Sequence, residues 1–73
     1  MTKRNAENTV LAVARVDFED DRDGASFMTA AEKSAARALA KRGYLRIVRD
    51  TRKEVVAVLT DEGASLHDER RKP

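Results

Sequence analysis

Residues 46–63 read RIVRDTRKEVVAVLTDEG. Within and just before this stretch lie two runs rich in strand formers, Tyr44-Leu45-Arg46-Ile47-Val48 and Val55-Val56-Ala57-Val58-Leu59. Branched side chains favour extended backbone because they pack well on a pleated surface. The RDTRKE between the runs is too charged to be core, so the pattern predicts an antiparallel hairpin. Leu45 and Ile47 share one face, as do Val55, Ala57 and Leu59, and these are the expected inward residues. Arg49, Arg52 and Lys53 are expected at the tip. Thr60-Asp61-Glu62-Gly63 comes immediately after. Thr60 is the expected N-cap of a last helix, with Asp61 and Glu62 in its first turn and Arg70, Arg71 and Lys72 in its last. Each sign stands where the helix dipole favours it. Leu66 is the one large apolar anchor, so this helix is expected to be short and frayed.

Upstream, Thr29-Ala30-Ala31-Glu32 is a capping box, in which Thr29 caps and Glu32 reaches back to the Thr29 amide. Lys33 to Arg42 include four alanines and Leu39, all strong helix formers. Gly43 falls at the position past the helix end that needs a left-handed backbone. Ala31, Ala35, Ala38 and Leu39 form the expected packing face. Lys33, Arg37 and Lys41 form a separate stripe at spacing i, i+4, i+8. Stacked like charges oppose a helix slightly, and an anion along that face reverses the sign.

The first element runs from about Asn5 to Asp17, with Asn5 or Asn8 as N-cap. Val10, Leu11, Ala14 and Phe18 recur at helical spacing. Val10, Ala12, Ala14, Val16 and Phe18 also alternate, which is the competing strand reading. The alanines favour the helix. EDDRDGASF is then an acidic loop with no periodicity. Its carboxylates miss the spacing of a calcium loop, because no register places glycine sixth and glutamate twelfth. No metal and no cofactor are expected.

The chain has 73 residues, enough for one small domain over residues 1–73. Such a core seldom contributes more than about 3–5 kcal/mol net, so a homodimer or a bound partner would add useful burial. There is no cysteine, hence no disulfide framework. No apolar run approaches the ~20 residues of a membrane span. The N-terminal MTKRNAEN lacks the apolar centre of a signal peptide. These features together predict a soluble cytoplasmic protein. The net charge of +2 conceals a segregation. Residues 17–24 carry five carboxylates against Arg22, a net −4, and residues 33–53 carry eight cations against Asp50, a net +7. Such asymmetry points to a polyanionic partner.

From about Ser34 to Leu66 the chain resembles the recognition helix and wing of a winged-helix domain, closest in flavour to MarR-type regulators. SAARALAKRGYL is similar to the recognition helix, and RDTRKEVVAVLTDEG to the wing with its basic tip and closing Leu-Thr-x-x-Gly. The resemblance implies an α+β fold in the order α-(loop)-α-β-β-α, with a two-stranded antiparallel wing. It also implies a transcriptional regulator that lays the helix in the major groove of double-stranded DNA and the wing on the backbone or minor groove. The residues agree with it. Lys33, Ser34, Arg37 and Lys41 stand on the helix, where Arg37 can bond guanine bidentately and Ser34 can reach a base or phosphate. Arg49, Arg52 and Lys53 stand ready for phosphates.

A second reading is a protein-interaction module, such as an inhibitor encoded by a phage or other mobile element. It would bind a protein partner through Asp20, Asp21 and Asp23, because basic clefts accept acidic loops. An enzyme is not expected. Ser26, Ser34 and Ser65 have no base at a recognisable spacing. The lone His67 reads as a surface residue, and Tyr44 as packing on the hairpin.

Overall fold

The computed structural model describes residues 3–19 and 24–71, with side chains over 5–17 and 24–70. The order is α1 (Lys3–Glu19), β1 (Ala25–Phe27), α2 (Ala30–Lys41), β2 (Leu45–Asp50), β3 (Val55–Leu59) and α3 (Asp61–Arg71). It is a small α+β domain with three helices and one antiparallel sheet of order β1-β3-β2.

α1 is a helix, as the alanines favour. Ala6, Glu7, Val10, Leu11, Ala14 and Asp17 are buried, and Ala12 and Val16 are exposed. That is the 3.6-residue period and not alternation. The helix starts at Lys3, so neither Asn5 nor Asn8 is the cap; the Asn5 carbonyl accepts from the Thr9 hydroxyl at 3.0 Å. Phe18, expected in the stripe, lies outside the described side chains. Asp20, Asp21 and Asp23 lie outside the described residues altogether.

The expected two-stranded wing is corrected to part of a three-stranded sheet. Ala25-Ser26-Phe27 is a strand, pairing Ala25 with Ala57 and Phe27 with Val55. Ala25 and Phe27 point inward and Ser26 outward. Phe27 is among the largest fully buried side chains, with Leu11, Leu39, Val10 and Val55. Burial of each such residue contributes about 1.5–3 kcal/mol. Met28, beside Phe27, is 67% exposed.

α2 begins as the capping box predicts. The Thr29 hydroxyl accepts from the Glu32 amide at 3.2 Å. The reciprocal contact is different: Glu32 Oε1 accepts from that hydroxyl at 2.9 Å instead of reaching the Thr29 amide. Ala35, Ala36 and Leu39 face the core, and the expected Ala31 is exposed. Gly43 has φ +90°, the left-handed backbone expected after the helix.

The Leu59-Thr60-x-x-Gly63 segment joins two turns. Thr60 Oγ1 accepts from the Gly63 amide at 3.0 Å and donates to the Gly43 carbonyl at 2.7 Å. The Thr60 amide donates to the Tyr44 carbonyl at 3.2 Å. Gly63 is buried, and a Cβ there would overlap the Tyr44 carbonyl oxygen and sit 2.6 Å from Leu59 Cδ1. α3 is thereby pressed against the α2–β2 turn.

α3 is more firmly held than its single leucine implies. Glu7 of α1 is only 5% exposed. Its Oε1 lies 2.8 Å from Arg42 Nη2 and 3.5 Å from Arg70 Nη1. Arg70 also donates to Asn8 Oδ1 at 3.0 Å, and Arg15 pairs with Asp68 at 3.5 Å. Burial alone would raise the Glu7 carboxyl. The hydrogen bonds and charges of Arg42 and Arg70 more than offset it and hold the group below its ordinary 4.5. His67, expected at the surface, has a side chain only 12% exposed. Tyr44 packs beside α3, with the Arg42 guanidinium 5.7 Å above its ring.

Gly63→Ala forces the Tyr44 backbone aside and is expected to cost about 1–3 kcal/mol or more. Gly43→Ala meets no atom within 4 Å and costs about 1 kcal/mol through its backbone angle alone. Urea midpoints are expected to rank wild type above Gly43→Ala above Gly63→Ala. For Glu7, a lowered folded value means stability that is complete above the ordinary 4.5 and lost as pH falls through the folded value. Glu7→Gln is therefore expected to lose about 1–2 kcal/mol at pH 7. Its deficit against wild type is expected to shrink steadily in urea titrations below pH 4.5.

Candidate nucleic-acid interface

The predicted cations fall on two surfaces, and a β-bulge separates them. β2 pairs with β3 as Leu45↔Leu59, Arg46↔Val58 and Ile47↔Ala57, then resumes at Arg49↔Val56 and Asp50↔Val55. Val48 is the extra residue and is 54% exposed. One inserted residue reverses the parity of the strand beyond it. Strict alternation would aim Arg49 at the core and Asp50 away. The bulge turns Arg49 to the outer face, opposite Val56, and turns Asp50 toward α2.

Asp50 meets Arg37 there. Arg37 Nε donates to Asp50 Oδ1 and Oδ2 at 3.3 and 3.1 Å, and Nη2 donates to Oδ1 at 2.8 Å. The hydrogen bond from Arg37, with the charges of Arg37 and Lys33, holds the Asp50 carboxyl below its ordinary value. The same bond raises the Arg37 guanidinium further. One helical turn earlier, Lys33 Nζ donates to the Arg52 carbonyl at 2.6 Å. Two contacts thus hold the basic side of α2 to the end of the hairpin.

The turn itself is closed locally. The Thr51 amide donates to the Glu54 carbonyl at 2.9 Å. The Thr51 hydroxyl donates to the same carbonyl at 3.1 Å and accepts from the Glu54 amide at 3.1 Å. Arg52 and Lys53 are left exposed at its tip. Ser34, Arg37 and Lys41 are exposed on α2, and Lys33 is half-buried. Arg37 and Lys41 border a shallow groove floored by Ala38, Ala40 and Ile47, with Asp50 on its far side.

Arg49 does not join this group. Its Nη1 lies 3.3 Å from Glu54 Oε1, and Glu54 Oε2 accepts from the Ser26 hydroxyl at 2.7 Å. The Ser26 hydrogen bond, then that of Arg49, holds the Glu54 carboxyl below its ordinary value. This row links β1 to β2 through Glu54, the residue just before β3, on the face away from α2. Of the seven predicted contact residues, Lys33, Ser34, Arg37 and Lys41 stand on α2, Arg52 and Lys53 stand at the tip of the turn that Lys33 holds, and Arg49 braces the opposite face of the sheet. Asp50 is the site residue that sequence reasoning missed. The signal was the Ile-Val-Arg-Asp order, in which strict alternation would bury Arg49.

Among the described residues, no group of histidine, cysteine, aspartate and glutamate could hold a metal, and no helix is long and apolar enough to cross a membrane. Compared with protein-family models, curated proteins and solved structures, the chain matches none.

Because Val48 is the extra residue, its deletion is expected to remove the bulge while keeping Arg49 opposite Val56 and Asp50 opposite Val55, so the Arg37–Asp50 pair survives. Amide hydrogen exchange at Thr51 and Glu54, whose amides hold the turn shut, is expected to stay as slow as in the wild type.

Proposed function

We propose that this chain is a small DNA-binding protein of winged-helix type, acting in transcriptional regulation. In this reading α2 enters the major groove, and the β2–β3 turn lies on the adjacent backbone. The supporting observation is the bond from Lys33 Nζ to the Arg52 carbonyl, which sets helix and turn side by side. Lys33, Arg37 and Lys41 recur every four residues along α2 beside that turn, whose exposed tip carries Arg52 and Lys53, and Asp50 is the carboxylate bonded to Arg37 between them. A duplex presents phosphates along both rims of its major groove, and cations on a helix and a neighbouring turn suit that spacing. Ser34 and Arg37, in the first half of α2, are the base-facing residues. Lys41, Arg52 and Lys53 are the phosphate contacts. Arg49 supports the turn through Glu54 and is not a direct contact in this arrangement.

The reading is tested by titrating random-sequence duplex DNA at several salt concentrations. Log affinity is expected to fall with log salt at a slope of about −3, since each of the three neutralised phosphates releases about 0.9 counterion. Arg52→Glu combined with Lys53→Glu is expected to abolish binding while the circular dichroism spectrum is unchanged. Undiminished affinity in that double variant overturns the reading.

A further inference from the structure

We infer that Asp50 is a positioning residue for base recognition: it turns the outer edge of the Arg37 guanidinium toward a guanine in the groove. The inference rests on the DNA-binding reading above and deepens it. A guanidinium has five N–H groups in one plane. Asp50 engages the edge formed by Nε and Nη2. The terminal edge, Nη1 with the second N–H of Nη2, makes no bond to Asp50. Those two parallel donors match the O6 and N7 acceptors on the major-groove edge of guanine.

Without a partner, a long exposed arginine samples many rotamers and is drawn to the nearest phosphate. Asp50 removes both freedoms. Its bonds to Nε and Nη2 fix the plane of the donors, and its negative charge repels phosphate from the same spot. The carboxylate is itself set in place by the Val48 bulge, which belongs to the register of the hairpin. Base recognition by Arg37 therefore depends on a residue of the neighbouring strand, and Asp50 exchanges general affinity for discrimination.

The test selects the full chain against a random duplex library and reads base preference by sequencing, alongside affinity for the unselected pool. Wild type is expected to prefer guanine at one position. Asp50→Ala is expected to bind the pool as tightly or more tightly, because a negative charge is gone, while that preference falls about fivefold or more. Arg37→Lys is expected to lose the same preference while keeping its charge. The double variant is expected to lose no more than either single one. A bare staple between α2 and the hairpin would weaken binding to all sequences alike. Weaker pool binding by Asp50→Ala with its guanine preference intact therefore overturns the inference. If Asp50→Ala fails to fold, guanine preference retained by Arg37→Lys overturns it equally. Wild type that binds the pool with no base preference overturns the positioning role alone. Wild type that does not bind the pool at low salt overturns the DNA-binding reading itself.

Discussion

The close seating of Gly63 on the Tyr44 carbonyl is the constraint around which this small domain is arranged. Thr60 makes it possible. Its hydroxyl takes the Gly63 amide and gives its own proton to the Gly43 carbonyl, so one side chain closes the start of α3 and the end of α2 together. Gly43 must then adopt a left-handed angle, and Gly63 can carry no side chain. Between these fixed points run β2 and β3. Their ends are pinned at the helix junctions, and their free end is the basic turn. A core this small, built around Phe27, Leu11 and Leu39 among the described residues, has little surplus stability. Polar closure of this kind, with Glu7 joining Arg42 and Arg70, supplies part of what apolar burial does not.

The bulge at Val48 has the next largest effect on the surface. Before it, β2 alternates with Leu45 and Ile47 inward. After it, an aspartate faces α2 and an arginine faces the opposite way. The inserted residue thus decides which charge accompanies Arg37 and which accompanies Glu54. It also twists the strand end locally, as bulges do, and so helps bring the Arg52 carbonyl within reach of Lys33.

Much of the fold was legible because strong local signals agreed with packing. Thr29 with Glu32 marked the start of α2, Gly43 its end, and the Val55–Leu59 run the central strand. The helical character of α1 followed from its alanines, and burial of Val10, Leu11 and Ala14 agrees. β1 was not legible, because Ala25-Ser26-Phe27 is too short for alternation to stand out and its pairing partner lies some thirty residues away. The hold on α3 was hidden for a similar reason. Glu7, Arg42 and Arg70 are ordinary surface residues in sequence, and only tertiary structure brings them together. In the candidate site, the sequence placed cations on a helix and a turn, but not the contacts between them. Arg49 was grouped with the cations of the tip, and its turn toward Glu54 was hidden because a one-residue slip leaves no mark in composition.

The strand order β1-β3-β2 also bears on how the chain is made. The middle strand is the last of the three to be synthesised, so both outer strands emerge before the one that pairs with them. While residues up to about 54 are leaving the ribosome, Phe27 has no sheet to enter and depends on α1 and α2 for shelter. Sheet formation is then a single late event: β3 folds back on β2 through a nearby turn and captures β1 across a long loop. A truncation before Val55 leaves no smaller sheet behind, because every ladder among the described residues includes β3.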